Sequence, residues 1–390
     1  MIKIPKKDSN VAFLATHPQG VKSFLLPHFF TLRKLINIDV YTNLLLANAL
    51  PEEEKAYTLK HITIQRRISP IRDLIVIWKL YQTFKKNKYD VVHTITPKAG
   101  LLGIFAAWLA GVPIRIHIFT GQVWANKRGF LRYLLKTTDK FIAFLATNIL
   151  VDSFSQEEFL IENKILQKNE SNVLGNGSVS GVNLMRFFPS KKNQIRIRKG
   201  LSTPMNSIVC LYLGRINKDK GVFDLANAFK KVAKNNPSLE LWFIGPDEEN
   251  TYVKVKSILN EFSSQVKRKE FTTNPEDYMQ AADFLCLPSY REGFGSVVIE
   301  AAACQIPSLV SRIYGLKDSI KDNKSGLTFE VGNVDDLARM LEFMYKNPEH
   351  LKKMGKNAID NVKNCFSEKI LTHEMEKYYQ NLLEALRCPK

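Results

Sequence analysis

The sequence predicts an α/β protein built from two doubly wound parallel sheets. Three observations predict it. Short, almost wholly apolar runs alternate with helix-length stretches along the 390 residues, the pattern of parallel strands covered by helices on both faces. Glycine-containing turns follow several of these runs, which is where doubly wound folds gather ligands. A polar, basic run at residues 190–206 separates the halves and reads as a linker. Residues 1–190 are thus expected to form one domain and residues 207–369 another.

Composition sets further bounds. The chain is 45% hydrophobic and 24% charged, enough for two or three domains with sizeable cores. Its formal net charge of +18 favours a polyanion or an anionic membrane surface as partner. The five cysteines are scattered, with no metal spacing and no disulfide framework, which fits a reducing cytoplasm. Residues 1–10 lack the apolar core of a signal peptide, and the longest charge-free stretch, 99–114, is too short to span a bilayer comfortably. Nucleic-acid binding is suggested by charge alone: zinc spacing, RNP motif and helix-turn-helix are all missing. A Walker A sequence is missing too.

Taken in order, residues 11–16 read as a buried strand followed by the turn H-P-Q-G. His17 and Gly20 stand where such a turn would line a cleft, or would simply join strand to helix. A helix at 21–36, strands at 40–42 and 62–64, and an amphipathic helix at 72–87 follow. The strand at 89–96 leads into P-K-A-G, which carries Lys98, and an apolar helix at 101–109. The strand at 114–119 ends in T-G-Q-V-W-A, with His117 and Phe119 on one face and Thr120 on the other. His117 has two readings, a site residue or a core histidine bonded to backbone.

Residues 127–148 read as a helix on which Arg128, Arg132, Lys136 and Lys140 recur every four residues. Phe130, Leu131, Leu134 and Leu135 lie beside this basic stripe. The pattern suits an anionic membrane interface, or a solvated helix packed on its domain. A strand at 148–152 and a capped helix start, S-F-S-Q-E-E, complete the first half. The glycine-rich segment 172–188 misses the dinucleotide-binding spacing.

The second half carries the sharper signals. A strand at 208–213 runs into G-R-I-N-K-D-K-G, which holds Arg215 and Lys220. An apolar run at 281–287 enters P-S-Y-R-E-G-F-G-S-V-V-I-E. Here Gly293 and Gly295 break the chain before a buried helix at 296–304. A helix opened by such a turn offers unpaired N–H groups and a positive dipole end to an anion. Glu292 stands at the helix mouth and Glu300 about one turn inside, placed to grip different hydroxyls of one ligand. A carboxylate on an otherwise apolar helix needs a partner.

E-G-F-G-S-V-V-I-E resembles the E-x7-E motif of retaining glycosyltransferases of family 4, which have the GT-B fold. The resemblance implies two Rossmann-like domains facing a central cleft. It also implies a last helix, at about 370–390, packed back on the acceptor-binding first domain. Carried over residue by residue, Glu292 approaches the donor sugar and Glu300 the ribose of a sugar nucleotide. The backbone at Gly293, Phe294 and Gly295 would meet the donor, and Gly20 joins the donor-binding candidates. G-R-I-N-K-D-K-G is similar to the family loop whose cations neutralise the donor diphosphate, here Arg215 and Lys220. H-T-I-T-P-K-A-G and H-I-F-T-G-Q-V-W resemble the acceptor-domain motifs of bacterial polysaccharide transferases. They give Lys98 and Thr120 to the acceptor side, which His17 joins from its own turn, and His117 to the catalytic candidates, although relatives carry His, Arg or Glu where Thr120 stands.

The implied function is transfer of a sugar, with retained configuration, from a nucleotide donor, commonly UDP-linked. The acceptor would be a polyprenyl-diphosphate-linked glycan in bacterial O-antigen or capsule synthesis, and the sugar a hexose or N-acetylhexosamine. No cofactor or metal is implied, and D-x-D, the metal-binding pair of another transferase fold, is absent. The enzyme would be cytoplasmic, peripheral on the inner face of the plasma membrane. A sugar-nucleotide 2-epimerase of the same architecture is the main rival; it would not need E-x7-E in this form.

Overall fold

The computed structural model describes residues 9–46, 56–65 and 69–387. Two compact units meet the chain at 180/181 and at 367/368, so the last helix belongs with the first unit. Cys388 lies outside the described residues.

The first unit opens with β1 (Ser9–Ala15), whose V-A-F-L-A run is wholly buried. A short helix α1 (Pro18–Gly20), one π-helical turn and α2 (Leu26–Leu32) lead to β2 (Ile36–Thr42) and β3 (Thr58–His61). Next come α3 (Pro70–Asn87), β4 (Val91–Ile95), α4 (Pro97–Ala110), β5 (Ile114–Phe119) and α5 (Gly129–Leu145). The unit continues through β6 (Asn148–Val151), α6 (Phe154–Glu162) and β7 (Ser171–Val173). All seven strands are parallel, in the order β3-β2-β1-β4-β5-β6-β7. The strand expected at 62–64 is instead β3, at Thr58–His61. Ile62 and Ile64 are buried, which gives the alternation its strand-like look. The ladder with β2 nevertheless ends at the pair Thr42–His61, where β2 itself ends.

The second unit holds α7 (Lys191–Gly200), β8 (Ile208–Leu213), α8 (Val222–Ala233), β9 (Leu239–Ile244), α9 (Tyr252–Ile258) and β10 (Val266–Lys269). It continues with α10 (Pro275–Ala281), β11 (Phe284–Leu287), α11 (Ser296–Ala303), β12 (Ser308–Ser311) and α12 (Leu316–Ser319). β13 (Gly326–Phe329), α13 (Val334–Lys346) and α14 (Pro348–Cys365) close it. Its parallel sheet runs β10-β9-β8-β11-β12-β13.

The expected linker at 190–206 is structured. Ser190 caps α7 by accepting from the Asn193 amide at 3.3 Å. Arg198 is only 1% exposed and donates to Ser207 O at 2.9 Å, Ala281 O at 2.9 Å and Asp283 Oδ2 at 2.7 Å. A buried guanidinium with most of its donors occupied ties α7 into the unit. Composition alone reads the same cations as solvated.

The final helix, α15 (Glu368–Arg387), buries Leu371, Met375, Tyr379 and Leu383, one residue every four, against the first sheet. Tyr379 Oη lies 2.6 Å from His93 Nδ1, and His93 stacks on Phe13. Burial lowers the His93 pKa to about 3, so the ring is neutral.

Candidate active site

In each sheet the strand order reverses at one place, β1/β4 in the first and β8/β11 in the second. Ligands of doubly wound folds gather outside the C-terminal ends of strands at such a point. In the second unit, the two loops leaving β8 and β11 are the two sequence motifs singled out above.

These loops are in close contact. A Cβ on Gly221 would sit 1.9 Å from the Pro288 carbonyl oxygen, and Gly221 has φ +68°. Only glycine lets the backbones approach this way. The Tyr290 amide donates to Asp219 O at 3.0 Å, and Arg291 Nε lies 3.5 Å from Asp219 Oδ2. Tyr290 Oη donates to Asp224 Oδ2 at 2.6 Å; burial, with that carboxylate, pushes the phenol up to about 12. Lys220 Nζ is ion-paired with Glu292 Oε1, both half-buried. Arg215 is exposed, and its guanidinium makes no hydrogen bond or ion pair among the described residues. Both cations thus belong to the loop between β8 and α8.

Helix α11 begins four residues after Glu292. Its N-cap, Gly295, supplies no side-chain cap; the Val298 amide donates to Gly295 O at 2.8 Å, and the Ser296 and Val297 amides stay available to an anion. Phe294 contributes backbone only, because its ring is buried against Phe366 with centroids 5.2 Å apart. Gly293 is backed by Gly315 (φ +80°), where a Cβ would lie 2.4 Å from Gly293 O and 2.9 Å from Glu292 O. Gly315→Ala therefore combines backbone strain with a clash that displaces the Glu292 turn. We expect a stability loss of about 1–3 kcal/mol, read by thermal melting. We also expect weakened donor binding, and unchanged melting and affinity would contradict this account.

Glu300 sits in the second turn of α11. Burial, opposed by Arg186 and reinforced by Glu276, pushes its carboxyl up to about 7, and it accepts no hydrogen bond among the described residues. The sequence reading missed Arg186, which donates to Glu276 Oε2 at 2.8 Å and to Thr273 O at 2.7 Å. It also missed Asp219, Arg291 and the Tyr290–Asp224 pair. Asp219, Tyr290 and Arg291 lie inside the two quoted motifs without being singled out, whereas Arg186 and Asp224 lie outside both and only the fold brings them to this region.

In the first unit His17 and Gly20 follow β1, Lys98 follows β4, and His117 and Thr120 lie at the end of β5. His17 Nδ1 accepts from the Gln19 amide at 3.0 Å, capping α1. Gly20 has ordinary helical backbone, φ −65°, and its nearest neighbour to an added Cβ is Thr96 Cγ2 at 3.9 Å. Lys98 pairs with Asp73 at 2.8 Å. Thr120 is half-buried, its carbonyl accepting from Gln122 Nε2 at 3.1 Å. His117 is 1% exposed, with Nδ1 2.8 Å from Thr94 Oγ1 and Gly100 packed over the ring; burial lowers its pKa to about 3. This burial and the Nδ1 contact fit the core-histidine reading, with Thr94 Oγ1 as partner in place of backbone. At the β1/β4 switch the structure instead presents Thr16 and Thr96, their hydroxyls 3.1 Å apart. Thr96 has φ +79°, an outlier for a β-branched residue of the kind that gathers at functional sites.

Two family profiles match the chain: glycosyl transferases group 1 over residues 193–361, and the glycosyl transferase 4-like domain over residues 40–177. The capsular polysaccharide biosynthesis glycosyltransferase CapM of Staphylococcus aureus is 30% identical over 83% of this chain and 85% of its own. The chain belongs to the family 4-type glycosyltransferases. An Escherichia coli relative of this glycosyltransferase is 28% identical over 78% of this chain and 79% of its own. It is named UDP-Gal:alpha-D-GlcNAc-diphosphoundecaprenol alpha-1,3-galactosyltransferase. Among solved structures, Anabaena HepE in complex with UDP and glucose superposes with a TM-score of 0.80 at 16% identity, covering 96% of this chain and all of that one. The two parallel sheets and this likeness make the glycosyltransferase a two-domain GT-B protein.

Proposed function

We propose that this glycosyltransferase moves a sugar from a UDP-sugar to a polyprenyl-diphosphate-linked glycan during surface polysaccharide synthesis, with retention of configuration. The observation that supports it is the second-unit crevice. Two cations, Arg215 and Lys220, and the open N-terminus of α11 suit a diphosphate, while the unpartnered Glu300 carboxylate suits the ribose hydroxyls. The names of the relatives support the lipid-linked acceptor and the UDP donor.

In this reading the acceptor oxygen forms a bond to the anomeric carbon on the face from which the diphosphate departs. The bond between that carbon and the phosphate oxygen breaks, its electron pair stays with UDP, and the hydroxyl proton passes to the departing phosphate. Arg215 and Lys220 stabilise the charge that develops there. Glu292, held by Lys220, faces the sugar. No metal or cofactor is needed, because fixed cations meet the diphosphate. The enzyme would work as a peripheral protein on the inner membrane face; among the described residues no helix is long and apolar enough to cross a membrane.

The test is UDP release from a panel of UDP-sugars with a short-chain lipid-diphosphate acceptor. Wild type should turn over in EDTA, whereas Glu292→Ala and Glu300→Ala should both lose transfer while melting cooperatively. Near-normal turnover in both variants would sink the assignment, and interconversion of the free UDP-sugar without transfer would point to the epimerase.

A further inference from the structure

The first unit carries a surface that its own core does not explain. Helices α3, α4 and α5 lie side by side on one face of the seven-stranded sheet. Helix α3 packs inward through Leu80 and Phe84, yet Ile71, Leu74, Ile75 and Trp78 form a second, outward stripe at helical spacing. Ile71 is 77% exposed and Trp78 is 60% exposed. Helix α5 repeats the arrangement with Phe130, Leu134, Phe141 and Phe144, the last 83% exposed. Phe105 of α4 packs against Phe141 at 5.6 Å and against the half-exposed Trp108 at 6.0 Å, joining the two helices' aromatic surfaces. A helix apolar on its outer as well as its inner side has a second partner.

The basic stripe of α5 is divided between the unit and solvent. Arg132 and Lys136 turn toward the unit: their cationic groups lie 5.3 and 5.5 Å from the Trp124 ring centroid. Arg132 also donates to Ala125 O at 3.0 Å, and Lys136 to Asn163 Oδ1 at 3.3 Å. Arg128 and Lys140 stay exposed. The stripe thus flanks the outward apolar face, as the sequence spacing placed it, with its middle two cations engaged by the unit.

Charge identifies the partner. The three helices carry Arg72, Lys79, Lys85, Lys86, Lys98 and the α5 cations against two acids, Asp73 and Asp139. Asp73 is tied to Lys98 and Asp139 is buried on Trp124. A second copy of the chain would set cations against cations. An anionic bilayer would accept both the aromatic, aliphatic stripes and the cationic rim.

We infer that the outer face of α3, α4 and α5 is a docking surface for an anionic lipid bilayer, with the α3 stripe and the α5 phenylalanines inserted at headgroup depth. This rests on the proposed lipid-linked acceptor and locates the contact. The test is co-sedimentation with phosphatidylglycerol–phosphatidylcholine vesicles and with pure phosphatidylcholine vesicles. Wild type should bind the anionic vesicles and be released by salt. The triple variant Ile71→Ser, Trp78→Ser, Phe144→Ser should lose partitioning by roughly tenfold or more. Arg132→Gln with Lys136→Gln should bind nearly as wild type, since those cations are already engaged. UDP-sugar turnover with a detergent-free, short-chain acceptor should be unchanged in the triple variant, which reports on its folding. Wild-type-like sedimentation of the triple variant overturns the inference. So does a wild-type dimer, seen by ultracentrifugation, that the triple variant converts to monomer. Vesicle binding by a protein that turns over no UDP-sugar would leave the surface standing and remove the proposed reaction.

Discussion

Lys220→Ala should slow glycosyl transfer by roughly a hundred- to a thousandfold, with the loss mainly in kcat. The magnitude follows from removing one fixed charge-assisted contact at a group that gains charge in the transition state, about 2.7–4 kcal/mol by analogy with an oxyanion-hole donor. The structure explains why the contact is preorganised. Lys220 is held at its place by Glu292 before any ligand arrives, and its backbone is fixed by Asn217, whose Oδ1 accepts from the Lys220 amide at 3.1 Å. Gly221 then brings this loop against Pro288. Stability should change by only about 1 kcal/mol, because the pair keeps contact with solvent and Glu292 can be hydrated once its partner is gone. Lys220→Arg should restore part of the rate. Single-turnover kinetics with saturating donor would check this, and a Lys220→Ala enzyme within a few fold of wild type would remove Lys220 from the departing diphosphate.

How much of this was legible in the sequence depends on the kind of signal. β8 and β11 are short apolar runs inside a sheet covered on both faces, so period and burial agree and the strands show at once. The Glu292 and Glu300 spacing was equally plain, since a carboxylate on an apolar helix conflicts with its surroundings unless something binds it. Spacing did not reveal phase. Arg128, Arg132, Lys136 and Lys140 do recur along one helix. Only the fold decides that Trp124 and Asn163 receive the middle two. Nor did composition reveal pairing: α7 looked like a linker because its cations outnumber its apolar residues. Arg198 reverses that reading through acceptors at Ser207, Ala281 and Asp283, which lie 9, 83 and 85 residues away along the chain. Thr96 escaped notice for a related reason. A left-handed threonine is invisible until the backbone is traced.

Glu300→Gln should make the empty protein more stable at pH 8 while weakening its hold on the donor. The sign follows from the carboxyl group. Burial raises its folded-state pKa from the ordinary glutamate value of 4.5 to about 7. Between these values the folded state keeps a proton that the unfolded state has released, so stability falls as pH rises through this window. Above about pH 7 the whole cost is present, on the order of 1–3 kcal/mol after allowing for the solvent contact that Glu300 retains. Glutamine of the same shape carries no such cost, so the variant's advantage should vanish below about pH 4.5 and reach a few degrees in Tm at pH 8. Donor binding should move the other way. Ribose hydroxyls donating to an ionised carboxylate contribute about 1.5–3 kcal/mol each, so the variant should bind UDP roughly tenfold or more weakly. In wild type the same linkage requires UDP affinity to rise with pH through about 7 as Glu300 ionises, and Glu300→Gln should flatten that rise. Calorimetric titration of UDP against both proteins across this range separates the effects. A pH-independent wild-type affinity, or a Glu300→Gln protein no more stable than wild type at pH 8, would mean that the carboxylate is already satisfied in the empty enzyme.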